Sequence, residues 1–382
     1  LSAKGNSLPA PLIANVRTLH YQRFMTDLNQ QTALQGRGNV RFSINARNPL
    51  KLSPLTLSLL MLLLVLSIVS LSIGPADLEP SIAARALFGA GDPVDILIVQ
   101  QLRLPRLILA ILIGATLALG GAALQGLVRN PLAAPSVFGA PSAAAFGAVL
   151  AIGTGFADTL SFSLPIAAML GALISVGALL LLAGPSANML TLLLAGLALS
   201  SLAGAAVSLA LNLAPNPYAA LEIAFWLLGS LEDRSFQHVA MAAPLIGLSW
   251  LCLLSVRSPL RILTLGEDVA RTSGVDVGRL KLITISGVAM GIGAAVAVSG
   301  VIGFIGLVTP HLVRPFVGYD PARVHVPAML AGSNLLLAAD CLTRIIPSSG
   351  EIRIGVVTAL IGVPFFIWLV LKQRGRDLLQ MS

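Results

Sequence analysis

The chain has 382 residues, of which 56% are hydrophobic and only 10% charged, with a formal net charge of +8 and a mean hydropathy of +0.90. That is too little polar material to clothe a soluble globule of this size, so the composition specifies an all-α integral membrane protein. The positive balance reflects topology and contact with anionic lipid rather than nucleic acid, because no basic stretch is interleaved with aromatic residues.

Residues 1–54 form a polar lead rich in Asn, Gln, Arg and Ser, expected to be flexible. No apolar core with a small-residue cleavage site precedes Leu55, so the lead does not read as a signal peptide. The first methionine is Met25, and residues 1–24 are expected to precede the natural start. A crossing takes about 20 helical residues. Apolar runs then place ten candidate spans at 55–73, 103–128, 136–153, 162–184, 187–213, 236–257, 279–299, 301–317, 325–346 and 352–371. Together they make a membrane domain over 55–372, followed by a tail at 373–382. The eighth span holds Gly300, Gly303, Gly306 and Pro310, which permits a bent or interrupted helix.

Two connecting segments are long. The first, 74–101, carries Asp77, Glu79, Asp92 and Asp95 and an amphipathic stretch at Ile82–Phe88. The second, 214–235, contains an apolar patch at Leu221–Leu231 that reads as a short helix dipping at the interface. Its Trp226 reads as a membrane-depth anchor, with a ligand contact as the alternative. If Lys51 and everything before it face the cytoplasm, the cytoplasmic side holds 18 of the 24 Lys and Arg and 6 of the 16 Asp and Glu. This bias places both termini inside.

Small residues at Gly114, Ala118, Ala122 and Gly126, and a GxxxG at Gly287 and Gly291, predict close helix packing. Arg103 and Arg106 flank Pro105 at the outer mouth of the second span. Arginine there runs against the charge bias, and either headgroup anchoring or reception of an acidic partner accounts for it. Asp340 and Arg344 lie one turn apart in the ninth span, where they can pair. An intramembrane acid also admits a proton relay, hence an ion-coupled secondary transporter, but no second buried carboxylate stands nearby to pass a proton to.

Four histidines lack zinc-site spacing, Cys252 and Cys341 lie inside apolar spans, and no HExxH or CxxC occurs. No catalytic, cofactor or metal site is read from the chain. Nor is there a GxxxxGK[ST] loop, so ATP-driven transport would need its ATP and Mg on another polypeptide. The segment Leu265–Val275 is where such an engine would couple. It is a short helix-prone insertion with Glu267 and Asp268 at its start and Arg271 following, an order suited to the helix dipole and to side-chain pairing.

From about Leu55 to Lys372 the chain resembles the FecCD family of permeases, the membrane subunits of ABC importers for iron–siderophores, haem and vitamin B12. The resemblance rests on Arg103-Leu-Pro-Arg106, Arg129-Asn-Pro-Leu-Ala133, Leu265-Gly266-Glu267 with Ala270-Arg271 and Gly274, Gly303-Phe-Ile-Gly-Leu-Val-Thr-Pro-His311, and Gly355-Val-Val-Thr-Ala-Leu-Ile-Gly-Val-Pro364-Phe-Phe-Ile-Trp368. It implies a type II ABC importer permease bundle of about ten transmembrane helices in the inner membrane. A second permease copy, the same chain or a paralogue, would complete one path at the subunit interface. Two ATPase subunits would dock on coupling helices at about 264–277, through Leu265, Gly266, Glu267, Ala270, Arg271 and Gly274.

A periplasmic binding protein would dock on Arg103, Arg106 and Arg344. Met189 and Leu190 stand where some relatives carry small hydroxyl residues near the inner gate, and with Gly303, Gly306 and Pro310 they are the expected pathway residues. Where many relatives have Glu-Leu-Pro before the last span, this chain has Glu351-Ile352-Arg353, adding a positive charge to the outer mouth. The expected cargo is an iron complex, siderophore or haem, with vitamin B12 the alternative.

Overall fold

A computed structural model describes residues 53–76, 78–159, 162–184, 189–346 and 352–380. Residues 1–52 of the polar lead, Asp77, Glu351 and the last two residues lie outside the described residues. The described chain is helical, with no strand among its residues.

In chain order the helices are α1 (Pro54–Ser72), α2 (Pro80–Leu87), α3 (Pro93–Val128), α4 (Ala140–Gly153), α5 (Ser163–Ala183), α6 (Met189–Asn212) and α7 (Pro217–Leu227). There follow α8 (Phe236–Ser255), α9 (Arg257–Leu263), α10 (Glu267–Thr272), α11 (Val277–Ser299), α12 (Ile305–Val313), α13 (Pro321–Ile345) and α14 (Ile354–Gln380). Among the described residues, eight of these are long and apolar enough to cross a bilayer. The other two expected spans are shorter: α4 has 14 residues and α12 has 9. Of the ten expected spans, two are therefore helices too short to cross a bilayer by themselves.

Local chemistry explains most boundaries. Proline begins α1, α2, α3, α7 and α13, where its missing N–H is no loss. Ser53, Asp92, Asn216 and Asp320 accept the first free N–H groups as caps. The helix α3 starts ten residues earlier than the apolar run alone indicates, because Asp92 and Pro93 form a start signal ahead of it. It passes through a π turn at Ile98–Arg103, where the N–H of Leu104 reaches back to Val99. Pro105 has no N–H to give the carbonyl one turn before it, and the wider turn absorbs that loss.

The most enclosed helices are α3, α11 and α13, with 83, 78 and 61% of an 18-residue window buried, against 17–28% for the other five full-length helices. Their approach depends on glycine. Gly114 of α3 and Gly332 of α13 face each other so closely that a Cβ on either would collide with the other's backbone, and Ala118 packs against Gly332. Gly287 and Gly291 of α11 likewise leave room for Leu253 and Ser249 of α8. The small-residue stripes are packing faces, as expected. Side chains then fasten the contact: Ser333 donates to the Ile111 carbonyl at 2.9 Å, Asn334 to Leu59 at 3.0 Å, and Trp250 Nε1 to Thr116 Oγ1 at 2.9 Å.

Between α11 and α12 the chain is non-helical from Gly300 to Phe304. Gly300 has φ 68° and Phe304 has φ 65°, so the break uses one glycine and one strained non-glycine residue. Beside the break, neighbouring chain ends bond to one another: Ser230 N–H donates to Ser299 at 2.8 Å, and the N–H groups of Ile354 and Gly355 donate to Gly229 and Leu228, both at 3.1 Å. The ends of α7, α11 and α14 thus meet in one backbone junction.

Substituting Gly332→Leu forces a side chain into the α3 backbone and is expected to cost about 1–3 kcal/mol as overpacking. Thermal unfolding in detergent should show a lowered midpoint for that variant. Gly204→Ala, at a position where an added Cβ meets nothing within 4 Å, should leave the midpoint unchanged or raised.

Candidate functional site

The polar groups of this apolar bundle collect at its two ends, named here the α2 end and the α10 end.

At the α2 end a single carboxylate organises three helices. Asp340 of α13 is fully buried and pairs with Arg106 of α3 and Arg344 of its own helix, each at 2.8 Å. The second arginine was not foreseen, since 234 positions separate Arg106 from Asp340. Arg344 also donates to the carbonyls of Ser70 and Ile73 at 2.8 and 3.0 Å and to Ser70 Oγ at 2.6 Å. Arg103, only 6% exposed, donates to the carbonyls of Leu71 and Ser72, each at 2.7 Å, and to that of Ala76. These are the last carbonyls of α1 and the turn after it, which no helical N–H can reach and which a cation suits. All three expected docking arginines are therefore engaged inside the chain. They still line a cavity of about 650 Å3, shared with Glu232, Asp233 and Arg234.

Asp340 does not have the surroundings of a proton carrier. Two guanidiniums hold its oxygens, and losing either would strand a buried charge. The pairing of Asp340 with Arg344 matches expectation.

The same end carries a second group. Arg353 pairs with Glu232 at 2.8 Å and lies over the Phe225 ring at 5.0 Å to the centroid. Burial pushes the Arg234 guanidinium below its ordinary value, with Arg353 adding to the shift and Asp233 and Glu232 opposing it. Trp226 is 9% exposed and buried at the end of α7, so it does not sit at the membrane surface as an anchor. A short helix does form here, at Pro217–Leu227 and so four residues earlier than the expected Leu221–Leu231, because Asn216 and Pro217 start it; the Trp226 carbonyl at its end lies against Gly300.

At the α10 end, α10 is a six-residue helix opening at Gly266, whose φ is 114°. Ala270 is fully buried beneath it, while Leu265 (69% exposed) and Val269 (43%) present apolar surface outward. Gly274, with φ 84°, ends the unit, and Arg271 is exposed. Glu267 does not use Arg271 as its partner but bonds Lys281 of α11 at 3.1 Å. Lys281 is nearly buried, so its charge gains more from the carboxylate than the solvated Arg271 would. One helix earlier, Arg261 of α9 pairs with Asp320, the cap of α13, at 2.8 Å. The short helices are thus tied to both α11 and α13, and neither tie has a local sequence signal.

The expected pathway residues separate. Leu190, at the start of α6, is 64% exposed and Met189 half-buried, and Gly303 is exposed within the non-helical stretch. Gly306 and Pro310 are buried in α12, Gly306 against the Leu117 carbonyl of α3. Buried Gln125 donates to the Gly306 carbonyl at 3.3 Å and accepts from Arg314 at 2.6 Å, which fixes α12 to α3. No cluster of His, Cys, Asp or Glu suited to a metal ion occurs among the described residues.

Against this geometry the likenesses to known proteins are consistent. The profile of the FecCD transport family matches residues 62–372. The hemin transport system permease protein HmuU of Yersinia pestis is 39% identical, with 72% of this chain and 83% of that protein covered. The vitamin B12 import system permease protein BtuC of Klebsiella pneumoniae is 38% identical over 73% of this chain and 84% of that protein. A solved metal-chelate type ABC transporter in an inward-facing conformation matches with a TM-score of 0.75 and 34% identity, covering 83% of this chain and 98% of that one.

Asp340→Asn leaves two buried guanidiniums without their anion and is expected to cost about 3–5 kcal/mol. The measurement is the folded yield and unfolding midpoint in detergent. A variant as stable as the parent would show that the pairing does not hold α1, α3 and α13 together.

Proposed function

Because the chain belongs to the FecCD transport family, and is thus the permease of an ABC importer and a multi-pass membrane protein, we propose that it carries an iron complex, a ferric siderophore or haem, from periplasm to cytoplasm. Vitamin B12 is the second reading, favoured by the likeness to the BtuC protein. In this proposal the α10 end and both termini face the cytoplasm.

One observation carries the mechanism: α10 and the residue leading into it present apolar surface outward, Val269 and Leu265, while Glu267 fastens the inner side to the buried helix α11. An ATPase subunit gripping α10 pushes on α11 through Glu267 and Lys281, and on α13 through Arg261 and Asp320. Those helices carry the push to the α2 end. ATP and Mg belong to the two ATPase subunits, and this chain supplies the path and no catalytic group.

A second permease copy covers the apolar faces of α6 and α14, where Leu194 is 57%, Leu202 67%, Leu360 70% and Trp368 51% exposed. Met189, Leu190 and Gly303 lie beside that face and gate the path, with Gly306 and Pro310 supporting it from within. A periplasmic binding protein places acidic side chains against the cavity edged by Arg103, Arg106 and Arg344. The bilayer covers what remains, and no surface calls for nucleic acid.

An ion-coupled carrier is disfavoured by the two arginines on Asp340. Uptake into vesicles decides between the two. Accumulation should require the ATPase and ATP and be blocked by vanadate, and accumulation by the pure chain alone would contradict the proposal. Leu265→Glu and Arg271→Glu should each reduce ATP-driven uptake at least tenfold with an unchanged unfolding midpoint, because both side chains are exposed. Full uptake in both variants would remove α10 as the coupling element.

A further inference from the structure

Beside the arginine-edged cavity at the α2 end lies a second one, of about 430 Å3, walled by α7, the turn before α8, Ser299 and Arg353. Two hydrogen-bond donors in its wall have no acceptor among the described residues: Trp226 Nε1 and Arg234 Nε. Several other donors of the bundle do find acceptors. The indole N–H of Trp250 finds Thr116 Oγ1 at 2.9 Å. Arg103, Arg106 and Arg344 each reach a carbonyl or carboxylate at ordinary hydrogen-bond distance. The Arg234 side chain has the His238 ring at 3.5 Å. Trp226 is more than nine-tenths buried, and a buried donor left unpaired costs free energy that folding normally avoids.

The carboxylates around this cavity are placed elsewhere. Glu232 is taken up by Arg353, Asp233 is exposed, and Glu222 stands exposed at the rim. The inner wall therefore offers N–H donors and a guanidinium whose burial outweighs the charges of Asp233 and Glu232 near it. Aromatic surface completes it: Phe225, held beneath Arg353, and Tyr218, which is 83% exposed.

We propose that this cavity recognises a carboxylate on the transported ligand, with Trp226 Nε1 and the Arg234 guanidinium donating to its oxygens and Phe225 and Tyr218 meeting an apolar or planar body. The inference rests on the importer reading and narrows it to chelates bearing a carboxylate. Charge-assisted hydrogen bonds of this kind discriminate strongly against a ligand lacking the acceptor, because the donors are then left unpaired.

Haemin and haemin dimethyl ester share one ring and differ in their carboxylates, so their binding to the full chain in nanodiscs, followed by visible absorbance, isolates the interaction. The acid should bind at least tenfold more tightly than the ester, and Arg234→Gln and Trp226→Phe should each erase most of that preference. Equal binding of acid and ester to the parent protein, a comparison needing no substitution, would overturn the proposal. So would an undiminished preference in folded Arg234→Gln. ATP-driven uptake that persists alongside equal binding would reject this site and leave the importer reading intact. Acid-selective binding without ATP-driven uptake would support the site and reject the importer reading.

Discussion

A buried carboxylate shared between two guanidiniums, Asp340 with Arg106 and Arg344, is the constraint on which the architecture turns. A charge at that depth is tolerated only with its partners in place. Three helices must therefore keep one arrangement at the α2 end: α13 brings the acid, α3 one arginine, and α1 the carbonyls and hydroxyl that complete Arg344. Arg103 closes the same end of α1 from the α3 side. Midway down, Gly114 and Gly332 bring α3 and α13 into backbone contact. At the far end Asp320 of α13 holds Arg261. A helix fixed at both ends and in the middle is a rod, and α13 is that rod.

Burial divides the remaining helices by task. With α3 and α11, α13 forms an enclosed core, while α1, α5, α6, α8 and α14 present most of their surface outward. Lipid gives helices no hydrophobic reason to associate, so the core relies on small residues and internal hydrogen bonds. The outer helices keep large aliphatic side chains that suit lipid tails or another copy equally well. A force entering at α10 meets the core before it meets anything pliable. Between core and periphery lies the Gly300–Phe304 break, beside which backbone bonds join the ends of α7, α11 and α14.

What the sequence revealed and what it concealed follows from the range of each interaction. Apolar runs located the crossings, and Gly and Pro marked the interrupted one, because those signals are local. The helices at α2, α7 and α10 were also legible, each opened by a proline, an acid or a glycine. The early start of α3 was missed since the apolar run outweighed Asp92 and Pro93. Concealed too were Lys281 as the partner of Glu267, Asp320 as that of Arg261, and Arg106 as the second cation on Asp340. Each joins residues that only the folded chain brings together. Trp226 shows the other limit: helix period places an indole on a face but does not say whether that face meets membrane or protein.

Pulsed electron–electron distance measurements test the rigid core most directly, using spin labels at Val269 on α10 and Ile345 at the far end of α13, both exposed. In the complex with the ATPase, the distance distribution should be the same without nucleotide and in the ATP-trapped state, while a pair joining Ile345 to Leu202 on α6 should shift. A Val269–Ile345 distance that changes between the two states would contradict a core that carries force as one body.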